Sequence, residues 1–335
     1  MVKRADVAAL AGVSPSVVSY VLNGGPRHVS EPTRLNVLAA VKQLGYTPNA
    51  LAAGLRRGAT KTIGMIMPSP VNPYLAELAD QIEEQAAELG YSIQISISRN
   101  DREQDIVSIR GLLDRQVDGL IVLSTSAFES LQALGRDQVP IVVIDHISER
   151  SRVSSVHVNN ELESRKAVHY LHQLGHETIA CLSGPQEVPT SDERISGWRL
   201  AQQESGFSDS DSLIVRAPYT AQGGWDATAE LIDMTNLKPT AVFVASDAQA
   251  QGLLAALSER GISVPSEMSV ISFDGSATSR FTSPPLTVVM QPAQEIVEIA
   301  LNELLRKIAE PNSEPAHIVM NCQLIERAST AAPAR

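Results

Sequence analysis

The sequence predicts an α/β protein with a small all-helical head at its N-terminus. Residues 1–46 contain short helical patterns, whereas from Thr62 onward apolar strand-like runs alternate with amphipathic helical stretches. Such alternation is typical of parallel sheets. Charge divides the chain at the same place, because residues 1–61 carry a net charge of +6 and the remainder carries −17. A basic head on an acidic body favours a nucleic-acid contact confined to the head.

The overall composition is that of a globular protein. The chain has 335 residues, of which 43% are hydrophobic and 19% charged. No run of 18 apolar residues or N-terminal secretory signal is found, so we expect neither a membrane span nor export. Cys181 and Cys322 lie far apart and in no metal-type spacing. We therefore expect a cytoplasmic protein without cofactor, metal or disulfide framework.

The head pattern predicts a helix-turn-helix. Residues 4–11 form a first helical pattern that ends at Gly12. Ser14 and Pro15 then begin a second helix, since serine caps helices well and proline is tolerated at the first helical position. A third helix follows another serine cap, Ser30. Two short helices joined by a tight turn predict a DNA-contacting unit, and a generic three-helix bundle is the alternative.

The rest of the chain predicts a linker and a body. We expect a head over residues 1–47, a hinge over 48–61 that is too short to be a stable helix alone, and a body over 62–335. A body of about 270 residues favours two sheets. Ligands of open parallel sheets bind at the carboxyl ends of the strands. The predicted strands are Ile63–Met67, Ile93–Ile97, Leu120–Leu123, Ile141–Ile144, Ile179–Leu182, Ala241–Ala245, Val270–Phe273 and Val288–Met290.

A long series of short motifs resembles the lactose-repressor/galactose-repressor (LacI/GalR) family of transcription regulators. In the head these are Asp6-Val7-Ala8, Ala11-Gly12-Val13-Ser14, Val18-Ser19-Tyr20-Val21-Leu22-Asn23, Leu44-Gly45-Tyr46 and Pro48-Asn49. In the body they include Asn72-Pro73-Tyr74, Val117-Asp118-Gly119, Arg194-Ile195-Ser196-Gly197-Trp198 and Phe273-Asp274. The resemblance covers essentially the whole chain. It implies a body like periplasmic sugar-binding proteins, with a ligand cleft between two α/β subdomains, and a homodimer that binds a roughly palindromic operator.

The resemblance assigns DNA contacts to the second helix and the hinge. A helix-turn-helix places the N-terminal residues of its second helix at base edges in the major groove. Tyr20 departs from the arginine that many relatives carry, and tyrosine cannot grip guanine with two parallel bonds as arginine does. Leu55 matches a side chain that wedges into the minor groove. The predicted DNA-binding residues are Ser14, Pro15, Ser16, Ser19, Tyr20, Asn23, His28, Asn49 and Leu55.

The resemblance also implies a sugar-type effector site in the cleft. Sugar sites combine an aromatic face with charged or amide groups that hydrogen-bond hydroxyls. Trp225 is expected to stack on the sugar ring, and Asp145 and Asp274 each follow a predicted strand. The predicted ligand-binding residues are Ser69, Tyr74, Asp145, Arg194, Trp225, Ser246 and Asp274.

Several departures leave the ligand open. Ser246 stands where many relatives have asparagine, and Asn159 and Glu163 also differ from common residues of the family. The alternatives are an unusual sugar, a sugar phosphate or a ligand that is not a sugar. The closely spaced His172 and His176 do not indicate a metal site, because Gly175 interrupts the helix between them.

The sequence is compatible with three functions. A ligand-gated repressor is favoured, a solute-binding receptor is opposed by the basic head, and a glycosidase-like enzyme would need Asp145 and Asp274 as an acid/base pair. No phosphate-binding, dinucleotide-binding or hydrolase motif supports the enzyme, and no catalytic residue is predicted. The C-terminal residues 326–335 lack a leucine heptad, so a dimer is expected. The sequence does not determine whether the ligand releases DNA or promotes DNA binding, and the resemblance favours release.

Overall fold

The computed structural model describes residues 2–23, 28–46, 59–98, 102–123, 139–145, 147, 151–186, 188–207, 211–234 and 238–334. The chain divides into two compact units, Met1–Thr60 and Lys61–Arg335. The predicted hinge falls mostly on residues 47–58, which lie outside the described residues. We call the two units the head and the body.

The head contains helices α1 (Arg4–Ala11), α2 (Pro15–Asn23) and α3 (Glu31–Leu44). Val7, Val18 and Val37 are completely buried at their junction, one from each helix. These small apolar side chains give the head its own core. Among the described residues no single helix is long and apolar enough to cross a membrane, although α1 and α2 together pass by length and composition as a bent pair.

The first sheet of the body is parallel throughout its described pairings. Its strands lie in the order β11-β5-β4-β3-β1-β2. Of its inner strands, β1, β3 and β4 are nearly continuous apolar runs, which is typical of parallel strands covered on both faces. The strands are β1 (Thr62–Met67), β2 (Ser92–Ile97), β3 (Gly119–Val122), β4 (Ile141–Ile144), β5 (Ser154–Val158) and β11 (His317–Met320).

The second sheet repeats this arrangement with one antiparallel edge. Its order is β12-β10-β9-β8-β6-β7, and only the described pairing of β12 with β10 is antiparallel. The strands are β6 (Ile179–Ser183), β7 (Ile214–Arg216), β8 (Ala241–Val244), β9 (Ser269–Asp274), β10 (Thr287–Met290) and β12 (Gln323–Ile325).

Helices cover the faces of both sheets. The first sheet carries α4 (Pro73–Glu88), α5 (Arg102–Asp114) and α10 (Ala293–Ala309). The second carries α6 (Asn160–Gln173), α7 (Pro189–Glu204), α8 (Ala221–Asp233) and α9 (Asp247–Glu259), with 3₁₀ helices at Asp211–Leu213 and Ala277–Phe281. We call each sheet with its helices a subdomain.

The described chain passes between the two subdomains at three places. It crosses after Val158, after Met290 and after Met320, each time within a few residues. Short connections of this kind bring the carboxyl ends of strands from both sheets towards one another.

All eight predicted strands are present, but four further strands were not predicted. These are β5, β7, β11 and β12, which are short or mix polar with apolar residues. Strand β11 pairs with β5 from far along the chain, with His317 opposite Ser155. A strand stabilised by such a distant partner gives only a weak local signal.

Candidate functional site

A tight turn sets the two N-terminal helices of the head at an angle. Gly12 ends α1 with a φ of 66°, a left-handed conformation that glycine adopts without steric cost. The Ser14 hydroxyl then accepts a hydrogen bond from the Val17 N–H at 3.4 Å, at the start of α2. The axes of α1 and α2 differ by 101°. This lies within the range of about 90–120° of a helix-turn-helix.

The N-terminus of α2 forms an open surface. Ser14, Pro15 and Ser16 are exposed, whereas Val18 on the opposite side is fully buried. Ser19 and Tyr20 are half-buried further along the helix. The helix is therefore anchored by one face and presents the other.

The remaining predicted DNA contacts lie at the end of α2 and beyond it. Asn23 is the last residue of α2, and His28 is exposed in the segment before α3. Asn49 and Leu55 lie outside the described residues, so their contacts with DNA stay predictions.

The two subdomains enclose a cavity of about 920 Å³. It lies where the parallel strands of both sheets end, which is where open parallel sheets bind their ligands. Six of the seven predicted ligand-binding residues line it. These are Ser69, Tyr74, Asp145, Arg194, Ser246 and Asp274.

Asp274 and Arg194 form a buried polar pair in this cavity. Asp274, the last residue of β9, is 3% exposed and has a φ of 109°, which is rare for a residue with a side chain. Strained backbone of this kind clusters at functional sites. Arg194 Nη1 lies 3.5 Å from Asp274 Oδ1. Burial raises the pKa of Asp274 to about 7, although the Arg194 guanidinium opposes that rise.

Gln291 connects this pair to the first subdomain. Its Nε2 donates to Asp274 Oδ1 at 3.0 Å, and its Oε1 accepts from the Tyr74 hydroxyl at 3.1 Å. The backbone N–H of Gln291 also donates to the Asp274 carbonyl at 3.0 Å. Gln291 follows β10, at the second crossing between subdomains. Gln291 was not among the predicted residues, because a lone glutamine after a strand carries no motif.

Asn160 has a similar position at the first crossing. Its Oδ1 accepts from Arg194 Nε at 3.0 Å, and its Nδ2 donates to Glu193 Oε2 at 2.9 Å. Asn160 is 4% exposed and lines the cavity. Both crossings thus contribute an amide side chain that holds a charged residue of the site.

Ser69 and Ser246 occupy the starts of local turns at the cavity wall. Ser69 Oγ accepts from the Val71 N–H at 3.2 Å. Ser246 caps α9, where its Oγ accepts from the Gln249 N–H at 3.3 Å. Asp145 follows β4 and is half-buried. These residues lie at strand ends, so they reach the cavity.

The expectation that Trp225 faces the ligand is corrected by the structure. Trp225 does not line the cavity; Tyr219 supplies an aromatic ring there instead. Thr220 caps α8, so Tyr219 precedes the helix, whereas Trp225 lies about 7 Å further along its axis. Tyr219 follows β7, a strand that was not predicted. Had β7 been recognised, the rule of strand carboxyl ends would have indicated Tyr219.

The histidines near Gly175 have structural contacts. His176 is 1% exposed, and its two ring nitrogens lie 2.8 Å from Thr240 Oγ1 and from the Ala331 carbonyl. His172 Nδ1 lies 2.7 Å from the His176 carbonyl. In the described ranges no group of three or more His, Cys, Asp or Glu residues is arranged to hold a metal ion.

Comparison with known proteins agrees with this architecture. Residues 5–49 match the family described as bacterial regulatory proteins, lacI family, and residues 168–330 match the periplasmic binding protein-like domain. The ribose operon repressor of Escherichia coli (strain K12) is 34% identical over 331 residues, which cover 98% of this chain and all of the relative. Catabolite control protein A of Priestia megaterium is 36% identical over 323 residues, 96% of each chain.

A solved structure extends the likeness to three dimensions. The lac repressor dimer bound to operator and the anti-inducer ONPF superposes with a TM-score of 0.86 at 28% identity, covering 99% of each chain. Sequence similarity to named relatives, the two matched domains and this shared fold agree along nearly the whole length. The chain therefore belongs to the lacI family of bacterial regulatory proteins.

Proposed function

We propose that this chain is a repressor that binds a palindromic operator as a homodimer and is controlled by a small ligand. The observation that carries the proposal is the combination, in one chain, of a helix-turn-helix with an exposed second-helix N-terminus and a cavity lined by converging polar side chains. The relatives named above are regulators rather than enzymes, so turnover of the ligand is not expected.

The head contributes the DNA contacts. Pro15, Ser16 and Tyr20 are proposed to face base edges, because they lie along α2 from its exposed N-terminus. Ser14, Ser19, Asn23 and His28 are proposed to bind phosphate or sugar, and the basic excess of residues 1–61 supports such contacts. Asn49 and Leu55 of the hinge are proposed to complete the interface in the minor groove.

The body is proposed to control operator binding. A sugar or sugar derivative is proposed to bind Ser69, Tyr74, Asp145, Arg194, Ser246 and Asp274, with Tyr219 in the aromatic role first given to Trp225. Binding is proposed to change the angle between the subdomains and so release the operator, as a coupling between two sites requires. We further propose a cytoplasmic location, with the chain on the nucleoid when it is bound to DNA.

The DNA proposal is tested by selecting operators from random duplexes with the purified full-length chain. A palindromic consensus bound by a dimer is expected, with affinity that falls steeply as salt rises. Ser16→Glu should weaken operator binding at least about tenfold, because it places a carboxylate against the electronegative groove. Ser258→Glu, an exposed site on α9 of the body, is the matched control and should have no effect.

A different outcome would favour the solute-binding receptor. If ligands stabilise the body but no duplex is selected at any salt concentration, the head has no operator and the repressor proposal fails. Hydrolysis of a bound glycoside would instead favour the enzyme. The lacI-family match of residues 5–49 argues against both alternatives.

A further inference from the structure

The chain leaves the body at the amino edge of the first sheet. Lys61 is the first residue of the body and directly precedes β1. The neighbouring strands β2 and β3 are parallel to β1 and start at the same edge, since Thr62 pairs with Ser92 and Ile63 with Gly119. The hinge segment therefore joins the body at Lys61, at the end of the sheet away from the ligand cavity.

Both neighbouring strands hold the backbone of Lys61. Its N–H donates to Asp118 Oδ2 at 2.9 Å, just before β3. Its carbonyl accepts from the N–H of Ser92 at 2.9 Å and from the Ser92 hydroxyl at 3.3 Å, at the start of β2. Lys61 has a φ of 55°, a left-handed conformation that is uncommon for a residue with a side chain. Such a conformation persists only where the surrounding contacts impose it, so the direction of the preceding chain is fixed here.

The side chain of Lys61 also contacts the body. Its Nζ lies 4.1 Å from the centre of the Tyr91 ring, well inside the roughly 6 Å over which a cation–π contact is attractive. Tyr91 directly precedes β2, and its backbone N–H donates to the Ala86 carbonyl of α4 at 2.8 Å. Although Lys61 is an exposed residue, its ammonium group is therefore held against a ring whose own backbone is fixed.

These contacts bear on DNA binding because the two heads of a dimer must reach two half-sites at once. The second head binds at an effective concentration that depends on the length and stiffness of the chain between it and the body. A chain that leaves the body at one place and in one direction loses less conformational freedom on binding than a chain with a free exit. Fixing Lys61 therefore favours simultaneous binding of both heads.

We propose that Lys61 is a positioning residue for operator binding. Through Asp118, Ser92 and Tyr91 it fixes the place and the direction in which each hinge segment leaves the body. The inference rests on the proposed function and adds to it a residue that acts on DNA binding from the body. The alternative is that Lys61 binds a phosphate directly, as a basic residue near DNA can. The two roles have different experimental signatures.

The proposal is tested with the full-length chain and the operator that it selects from random duplexes. Lys61→Gln removes the ammonium group, and Tyr91→Leu removes the ring. Each should weaken binding to the palindromic operator at least about threefold, because a cation–π contact is lost in both protomers. The double variant should bind no more weakly than the weaker single variant, since both changes remove the same contact. Lys61→Arg and Tyr91→Phe keep the contact, so they should bind within about twofold of the unsubstituted chain.

Two further measurements separate positioning from phosphate binding and from a general loss of folding. On a duplex with a single half-site, measured at low salt, all variants should bind like the unsubstituted chain, because only one head is engaged. The slope of log K against log salt should also stay unchanged, whereas each lost phosphate contact would lower it by about 0.9. Arg110→Gln, which removes a positive charge from an exposed position on α5 of the same subdomain, is the control and should change neither affinity.

Three results would overturn the proposal. Equal losses of affinity on the palindrome and on the single half-site would be one of them. Another is a lower salt slope in Lys61→Gln together with normal binding of Tyr91→Leu, which would assign a phosphate contact to Lys61. The third is normal binding of the palindrome by every variant, which removes this inference and leaves the proposed function intact. A chain that selects no palindrome instead loses the proposed function and this inference together.

Discussion

Single residues decide what the cavity can hold. Asp274 takes a backbone conformation with positive φ, and it is held by Gln291 and Arg194 although burial raises its pKa. Such a buried carboxyl group is costly to keep unless it has a role. We attribute that cost to ligand binding.

The finding that Tyr219 lines the cavity, whereas Trp225 does not, can be tested by substituting each residue. Tyr219→Ala should weaken binding of the sugar effector, identified by thermal shift, at least about tenfold, because it removes the ring from the cavity wall. Trp225→Ala should leave the Kd within about twofold, since Trp225 does not line the cavity. Calorimetric titration measures both. Tyr219→Phe keeps the ring and removes the hydroxyl that lies 2.8 Å from Ser191 Oγ, so it separates stacking from hydrogen bonding.

Buried histidines predict a pH dependence of stability. Burial lowers the pKa of His172 and His176. Below the unfolded value of about 6.5 the unfolded chain binds more protons than the folded chain, so this contribution to stability is lost as pH falls. Asp274 acts in the opposite direction over the same range, because its raised pKa makes the folded chain bind the additional proton. The histidine contribution is therefore measured as a difference between variants in urea titrations. The change in free energy of unfolding from pH 7.5 to 5.5 should be more favourable to the folded state in His176→Gln than in the unsubstituted chain. Equal changes would contradict the assignment; exposed His28→Gln is the control.

The packing of helices in the body depends on close approach of their backbones as well as on the pattern of apolar residues. Helices α8 and α9 pack through Gly224, where an added Cβ would lie 1.9 Å from the Gln249 carbonyl oxygen. That contact fixes α8 and, through its Thr220 cap, the position of Tyr219 at the cavity.

Gly224→Ala should therefore destabilise the body by about 1–3 kcal/mol, the usual cost of overpacking. It should also weaken sugar binding, because the helix must move away from α9. Gly111→Ala in α5 is the matched control, since its Cβ would meet only the flexible end of Arg115 at 3.2 Å. The control should be neutral or stabilising by about 0.5–1 kcal/mol. Urea unfolding compares the two; equal effects would contradict the close-packing argument.

In the body as a whole, two of the crossings between subdomains lie beside the cavity. Gln291 at one crossing and Asn160 at another hold the side chains that the ligand is proposed to meet. A change in the angle between the subdomains would alter both sets of hydrogen bonds. The crossings are therefore suited to connect occupation of the cavity with the arrangement of the body.

Gln291→Met should weaken the coupling between sugar binding in the cavity and operator binding by the head. It keeps the volume but removes the bonds to Tyr74 and Asp274, each worth about 0.5–3 kcal/mol in a buried site. The factor by which the sugar changes operator affinity should fall, and by reciprocity the factor by which operator changes sugar affinity should fall equally. Anisotropy titrations with and without sugar measure the first factor. Gln251→Met, which removes a bond to Thr278 outside the cavity lining, serves as control; an undiminished factor in Gln291→Met would refute the idea.

The sequence determined the features that depend on neighbouring residues. Helices of the head follow from caps such as Ser14 and from Gly12, and each predicted strand is an apolar run that pairs in a parallel sheet. Six residues that line the cavity were indicated because family motifs and strand ends occur locally in the chain.

Only the tertiary structure decided which groups meet in the cavity. Tyr219, and not Trp225, lines the cavity because it follows β7; β7, β11 and β12 are short strands stabilised by distant partners. Likewise, Arg194 was visible in the sequence, but its commitment to Asn160 and Asp274 was not. The hydrogen bond to Asn160 spans 34 positions of the chain and the ion pair with Asp274 spans 80, and contacts over such separations have no local sequence pattern.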